Sequence, residues 1–517
     1  MGVLLQLLAS LGACLAAYGI SKGLRLIYDE LTSPLRQLPG PKSSSFIYGN
    51  FKEIRAEGDS TAQERWVQEY GSTFKFRGFF GTTRLYTTDL KALNHIIVHT
   101  DIYQKPEATR YNISRIVGSG VLVVEGDKHK QQRKVMNPAF GPSQIRELTD
   151  IFIAKSLQLR DIWAADNAEH GGTSRVEILS WLSRTTLDII GLAGFNYSFD
   201  ALNENHEMNE LNAAFATLFH AGTRRARDDG PVKIAQQTMS RIGNQLLRES
   251  KASIRDKSEW KTRDLLSLLV RSNMDTDLPP HQRMSDQDVL DQVPTFLVAG
   301  HETTSTGTTW ALFALAQEKA IQDRLREELL AVDTDTPTMD ELNALPYLDM
   351  VVRETMRLHA PVPTSMREAV RDDIIPLSKP FTDRKGVVHD TIKVRKGQAL
   401  HIPIVVVNRE KSIWGEDAME FNPERWKSIP QAAGTIPGVW GNMLTFLGGP
   451  RACIGYRFSL VEMKALLFTL LRAFEFELAV PAKDIIKKST IVQRPVLATD
   501  PDAGNQMPML IRPVTRS

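Results

Sequence analysis

Apolar residues fill positions 3–20 almost without a break, only Gln6 and Ser10 interrupting them. Roughly 18 apolar residues is the lower bound for a helix that crosses a bilayer. A cleaved signal peptide would carry basic residues before such a stretch and a small-residue cleavage site after it. Here no Lys or Arg precedes it, whereas Lys22 and Arg25 follow at once, the pattern that keeps the following chain cytoplasmic. The pattern therefore predicts an uncleaved membrane anchor over 1–28. Amphipathic residues run on to about Tyr28, and the Pro-rich segment 29–45 follows, whose Leu38-Pro39-Gly40-Pro41 cannot be helical and reads as a stiff hinge.

Beyond residue 46 the pattern turns mixed and mostly helical in period. Apolar positions recurring at helical spacing predict helices over 179–193, 208–221 and 233–254. Phe79, Phe80, Leu85 and Tyr86 around Gly81 predict a hairpin over 78–89, and further strands are expected over 388–407. The charged stretches 224–229 and 275–283 read as solvated loops. No repeat, low-complexity tract or Pro/Gly/Ser-rich linker divides the remainder, so 46–517 is expected to be one domain, mainly α with small β-sheets.

Composition narrows this picture. The 517 residues are 42% hydrophobic and 24% charged, a globular balance, and 63 basic against 61 acidic residues leave a formal charge of +2. That is no electrostatic footprint for nucleic acid. Two sequons, at Asn112 and Asn196, would matter only in a lumenal protein and are taken as chance matches. The two cysteines are Cys14, inside the apolar stretch, and Cys453, so no disulfide framework exists and Cys453 is available for chemistry. A lone cysteine is more often a small buried hydrophobe than a ligand. Its neighbours decide.

Those neighbours are Phe446-Leu447-Gly448-Gly449-Pro450-Arg451-Ala452-Cys453-Ile454-Gly455, followed by an amphipathic stretch over 456–474. Cys453 thus falls just before a helix, where free N–H groups and the helix dipole favour a thiolate. Gly448 and Gly449 admit close approach of a flat cofactor, and Arg451 suits pairing with a carboxylate on it. The stretch resembles the haem-binding loop of the cytochrome P450 family, F-x-x-G-x-R-x-C-x-G, at every fixed position; Leu447 stands where a small or polar residue is commoner. The resemblance implies a cytochrome P450 fold enclosing haem b (iron protoporphyrin IX), with Cys453 as axial thiolate and Phe446, Gly449 and Arg451 in the cofactor-binding loop.

Other landmarks of that family appear in order. Glu354 and Arg357, three apart on one helical face, are by themselves an ordinary ion pair. With Arg425 from Phe421-Asn422-Pro423-Glu424-Arg425-Trp426 they resemble the family's E-x-x-R triad, which implies a buried structural brace for the cysteine loop. Ala299-Gly300-His301-Glu302-Thr303-Thr304 resembles the oxygen-binding A-G-x-E-T segment. Small Ala299 and Gly300 would leave room for O₂, Thr303 would relay protons through a locally opened helix, and Glu302 would link that point to solvent. His301 occupies the variable position and is expected to face away from the iron. His129 and Arg133, one turn apart, resemble W-x-x-x-R with His for Trp; with Arg367 they are expected to hold the haem propionates.

The resemblance implies a monooxygenase that inserts one atom of O₂ and releases the other as water, helped by electron donation from the Cys453 thiolate. Electrons are expected from a separate membrane-bound NADPH-dependent flavoprotein reductase docked at Lys130, Lys134 and Arg457. Segments 107–119, 203–223, 296–303, 362–366 and 489–493, mixed apolar and small, are expected to contact a lipophilic small molecule. The texture of 126–140 and 446–468 resembles microsomal enzymes of fungi, which implies secondary metabolism such as terpenoid biosynthesis. A single-pass endoplasmic reticulum protein with its catalytic domain in the cytoplasm follows. Two rivals stand beside it: a reductase-independent haem-thiolate isomerase or dehydratase, and a non-enzymatic haem-binding sensor or electron carrier.

Overall fold

A computed structural model describes residues 2–203, 210–211, 213–214, 217, 230–255, 264–275, 277, 279, 283–489 and 491–514. The helix expected over 208–221 and the loop expected over 224–229 lie wholly or mostly outside these residues. Helix predominates and the sheets are small, as the periodicity predicts. By its internal packing the chain divides into two compact units: residues 1–104 with 365–403, and residues 105–364 with 404–517. Each unit is assembled from separated stretches of chain. No linker composition could mark such a division.

In the first unit, α1 (Gly2–Leu31) is one long apolar helix whose described side chains lie almost entirely exposed. It is long and apolar enough to cross a membrane. Its end is fastened: Glu30 accepts from the Thr83 backbone N–H at 2.9 Å and pairs with Arg77. The segment expected to be a hinge is packed, with Leu35 and Leu38 buried and the Lys75 N–H donating to Pro39 O at 2.9 Å.

The predicted hairpin exists, but its strands are Thr73–Arg77 and Thr83–Thr87, so residues 78–82 form its turn. Phe79 and Phe80 carry the strand-like pattern, yet they are exposed at the tip, Phe80 with a left-handed φ of 54°. The hairpin is one edge of a five-stranded sheet that continues through Ala399–Ile402, Ser365–Ala369 and Tyr103–Gln104. Trp66, Phe74, Phe76 and Tyr86 form its aromatic core. Asp89 caps α2 (Leu90–Val98) and also accepts from the Ser378 N–H at 2.9 Å, tying helix to the ribbon of Asp373–Thr382 and Val388–Val394. Strand was expected up to 407. Instead, after the strand Ala399–Ile402, a short helix forms over Ile404–Arg409 in the second unit.

Among the described residues the second unit is helical, with two small sheets. Its elements that matter for the site are α3 (Gly126–Met136), α4 (Pro142–Glu169), α5 (Ile178–Phe195), α6 (Asp286–Gln317), α7 (Pro346–Leu358) and α8 (Tyr456–Ala473). α6 begins at a capping box, the Ser285 hydroxyl accepting from the Asp288 N–H and the Asp288 carboxylate from the Ser285 N–H. It carries Pro294 internally and continues unbroken through 304–312, where every residue is buried. A helix buried all round is the unit's axis, and it packs on α5 and α8.

Candidate active site

The cysteine loop is held from both sides. Cys453 lies three positions before α8, and its N–H donates to Phe446 O at 2.9 Å, closing the loop on itself. Phe446 is buried between the rings of Trp440 and Tyr456. Gly448 is required by the protein's own packing: a Cβ there would lie 1.7 Å from Pro437 O. Gly449 has a φ of 62°, in the left-handed region that favours glycine.

From outside, Arg133 on α3 donates to Ala452 O at 2.8 Å. Arg451 pairs with Glu125 and donates to Val124 O at 2.9 Å, both just ahead of α3. Burial, then nearby Arg110, lowers the Arg451 pKa to about 10, so it remains a cation at neutral pH. His129 is buried on α3; burial, followed by Lys105 and Arg133, lowers its pKa to about 4 and keeps it neutral. His129, Lys130, Arg133, Lys134, Asn137, Gly449 and Pro450 line a cleft of about 360 Å³.

Cys453 itself is solvent-accessible, between buried Ala452 and half-buried Ile454. Enclosing protein nonetheless pushes its thiol above the ordinary value, outweighing the Gly455 N–H and the Arg133 guanidinium, which act the other way. The Gly455 N–H and Arg133 favour the thiolate, and a metal cation bound at the sulfur would favour it further. A similar accessible spot interrupts α6, where Ala299 is exposed and Thr303 half-buried although Phe296, Leu297, Thr304 and Ser305 around them are buried. Accessible side chains inside otherwise buried segments fit a flat group held within protein walls, and a lone thiol with cationic Arg133 beside it fits haem iron with its propionates.

The α6 segment is locked against its neighbours. Thr304 Oγ1 donates to Ser459 Oγ on α8 at 3.2 Å. The Thr303 hydroxyl donates to Ala299 O at 2.8 Å, and the helix stays continuous there. Gly300 serves packing on the other side: a Cβ would meet Ile190 Cγ1 of α5 at 2.8 Å. His301 is buried, its Nδ1 bonded to Leu297 O at 2.7 Å. Glu302 is paired with Arg494, from the strand Gln493–Leu497, through a 3.0 Å bond to Nε and a closer one to Nη2. Burial raises its pKa, but His301 and Arg494 more than offset this and hold it down at about 2.

Glu354 and Arg357 on α7 are fully buried and doubly bonded, at 2.8 and 2.9 Å. Arg357 spends its other donors on Asn408 O (2.9 Å), Ala418 O (2.6 Å) and Glu420 O (3.2 Å), so all five are used. Arg425 approaches Glu354 at 3.4 Å, but its stronger partner is Asp417, at 2.7 and 2.8 Å. The Trp426 indole and the Asn422 N–H complete the Glu354 shell, each at 3.0 Å. Asn408 carries the brace onward: its Oδ1 accepts from the Leu444 N–H at 2.9 Å and its Nδ2 donates to Thr445 Oγ1 at 2.8 Å, immediately before Phe446.

Arg367 lies in the other unit. It is buried, donates to Ser365 Oγ and Met366 O at 2.8 and 2.7 Å, and pairs with no carboxylate among the described residues; burial lowers its pKa to about 10. Sequence reasoning missed Asn408, Asp417, Glu125 and Arg494. Only Asn408 left a signal, as a lone polar residue after the apolar run 402–407.

Comparison with known proteins agrees with this geometry. The sequence model of the cytochrome P450 family matches residues 39–499. Cytochrome P450 monooxygenase 205 of Postia placenta is 51% identical, covering 98% of each chain. Cytochrome P450 monooxygenase 128 of the same fungus is 50% identical over 97% of each. Cytochrome P450 monooxygenase claQ of Ampulloclitocybe clavipes is 34% identical over 93% of this chain and 94% of its own. A family match over most of the chain, full-length relatives of one activity and a haem-fitting cysteine loop together establish that this chain belongs to the cytochrome P450 family, the haem-thiolate monooxygenases.

Proposed function

We propose that the protein oxidises a lipophilic small molecule in fungal secondary metabolism, such as a terpenoid pathway, with electrons from a separate membrane-bound NADPH-dependent flavoprotein reductase. The observation that carries the monooxygenase reading onto particular residues is the accessible Ala299–Thr303 face inside an otherwise buried α6. The bound haem would supply O₂ activation and insertion of one oxygen atom, with the Cys453 sulfur as its electron-rich axial ligand.

The chain's own residues then have separable duties. Phe446 and Gly449 shape the loop that presents Cys453, and Glu354, Arg357 and Arg425 brace it. Arg133, a half-buried cation without a carboxylate partner among the described residues, and neutral His129 are assigned to the propionates. Arg367 carries the same assignment from its motif, and Arg451 sets the loop against Glu125. Thr303 holds and passes the proton at the reacting oxygen. Glu302, ionised while Arg494 grips it, must be released before it can take up a proton and hand it on. The cleft edged by Lys130 and Lys134, with Arg457 at the start of α8, is assigned to an acidic reductase surface.

α1 supports placement in the endoplasmic reticulum membrane as a single pass, with the catalytic part cytoplasmic. The mixed apolar and small residues over 107–119, 296–303 and 362–366 support a substrate that arrives through lipid. The deciding experiment is the reduced, carbon monoxide-bound difference spectrum, followed by spin-shift screening of lipophilic compounds and product analysis with NADPH and reductase. A Soret band of imidazole rather than thiolate ligation overturns the Cys453 assignment. Turnover without NADPH or O₂ overturns the monooxygenase assignment in favour of isomerisation.

A further inference from the structure

Trp440 is placed by its own turn. Gly441 and Asn442 both have left-handed backbones, with φ of 64° and 52°, the mark of a type I′ turn, for which Asn and Gly are the favoured residues. The turn pairs Trp440 with Met443 in a β-bridge, and the Val439 N–H donates to Leu447 O at 2.8 Å. The chain thereby folds back, and the Trp440 ring meets the buried ring of Phe446 edge to face, centroids 5.7 Å apart and planes at 71°. Half-buried Tyr456 lies against Phe446 at 6.0 Å. Phe446 O in turn accepts from the Cys453 N–H at 2.9 Å. Two contacts therefore connect the cysteine loop, through Phe446, to half-buried Trp440.

The indole N–H sets Trp440 apart from other tryptophans of this unit. Trp310, Trp414 and Trp426 donate theirs to Gln493 O at 3.0 Å, Val407 O at 3.1 Å and Glu354 Oε2 at 3.0 Å. That of Trp440 has no protein acceptor among the described residues and is open to solvent. Indole and phenol are readily oxidised, whereas a benzene ring is not and can serve only as a bridge. An indole that gives up an electron becomes a strong acid, and an N–H open to solvent can release its proton at once. The Arg353 guanidinium lies over the Trp440 ring at 5.0 Å, so its charge disfavours a cationic indole and promotes that release.

We propose that Trp440 is an outlet for oxidising power that finds no substrate: it gives one electron across the Phe446 ring to the cofactor held by Cys453, releases its indole proton to solvent, and is restored by a hydrogen atom from a soluble thiol. Two such cycles, with two protons taken up at the site, reduce the unused oxygen atom to water. The two thiyl radicals left behind join as one disulfide. The net change is one oxygen atom and two thiols going to water and a disulfide. The oxidant is the one that the monooxygenase reaction itself supplies, and the proposal rests on Cys453 as the haem ligand. Without an outlet, the same oxidant attacks the cofactor and the side chains around it.

The test exposes the full-length haem protein, without substrate, to hydrogen peroxide, which delivers the oxidising equivalent without a reductase; its peptides are then mapped by mass spectrometry. Hydroxylated and kynurenine forms should be several-fold more abundant at Trp440 than at Trp181 and Trp426, which are half-buried too but make no ring contact with Phe446 among the described residues. Glutathione should suppress these products, and imidazole on the iron should abolish the preference. Trp440→Phe keeps a ring against Phe446 and should shorten the life of the Soret band under peroxide, whereas Trp440→Tyr, still oxidisable, should restore it. Oxidation spread evenly over the three tryptophans overturns the proposal. So does oxidation at Tyr456 in place of Trp440, or Phe and Tyr variants that bleach alike. Should neither variant fold, the wild-type map decides. The reduced, carbon monoxide-bound spectrum tests Cys453 separately: with its thiolate band present, a negative map removes only the outlet, and without that band both readings fall.

Discussion

Removing Arg357 tests the brace behind the cysteine loop most directly. Arg357→Met leaves Glu354 fully buried with only its weaker partners Arg425, Trp426 and the Asn422 N–H, and it strips donors from three carbonyls, those of Asn408, Ala418 and Glu420. Stranding one partner of a buried ion pair costs about 3–5 kcal/mol. Each orphaned carbonyl adds roughly 1 kcal/mol. The sum, about 6–8 kcal/mol, is comparable to the whole stability of an ordinary domain. Glu354→Met should be similarly severe, because it strands Arg357. The double variant removes both charges at once and should cost about 2–3 kcal/mol less than the sum of the singles. Urea unfolding can be followed by the fluorescence of Trp414 and Trp426, which flank the pair, and by the thiolate-type Soret band. Asn408 links the pair to Leu444 and Thr445, so the Soret signal of each single variant should be lost at lower urea than the tryptophan signal. Additive effects within about 0.5 kcal/mol would show that Glu354 and Arg357 do not act as one unit, and a Soret signal as persistent as wild type would sever the brace from the loop.

Arg494→Met removes one of the groups that hold Glu302 at a pKa of about 2, so that pKa should rise. A depressed carboxylate stabilises the fold above its unfolded value, about 4.3, and the stabilisation is lost as pH falls toward about 2; acid unfolding of the variant should therefore begin at higher pH, and an unchanged midpoint refutes the pairing. Thr303→Ala should leave haem binding intact while diverting NADPH from product to reduced oxygen species, read by comparing NADPH, product and peroxide; normal coupling would release Thr303 from its assigned role. Charge reversal at Lys130, Lys134 and Arg457 should raise the reductase concentration needed for half-maximal turnover and steepen with falling ionic strength; an unaltered requirement would move the docking site elsewhere.

Motifs that depend on neighbours along the chain are legible in the amino-acid sequence itself. Cys453 can be singled out because its glycines, Arg451 and the following helix lie within a few positions. Pairs three apart, such as Glu354 and Arg357, follow from helix geometry. What stays hidden is the long-range half of each interaction. Nothing near Glu302 indicates Arg494, almost two hundred positions later, and nothing near Arg451 indicates Glu125. Gly300 and Gly448 also answer to Ile190 and Pro437, residues brought close only by folding, and nothing in the neighbouring sequence indicates either contact. The hairpin is displaced from its expected position because exposed aromatics at a turn mimic a strand's pattern.

The fastening of Glu30 to Arg77 and to the backbone of Thr83 changes how the N-terminal helix should be regarded by anyone engineering this chain. The last turn of α1 behaves as part of the sheet unit, whereas the turns before it are the exposed apolar stretch long enough to cross a membrane. A cut made before Asp29 discards only the latter. A cut made after Leu31 also takes away the acceptor for Arg77, leaving that guanidinium with Gly81 O and Thr83 Oγ1 at the base of the hairpin. Two truncations a few residues apart therefore yield different proteins, one trimmed and the other unbuttoned.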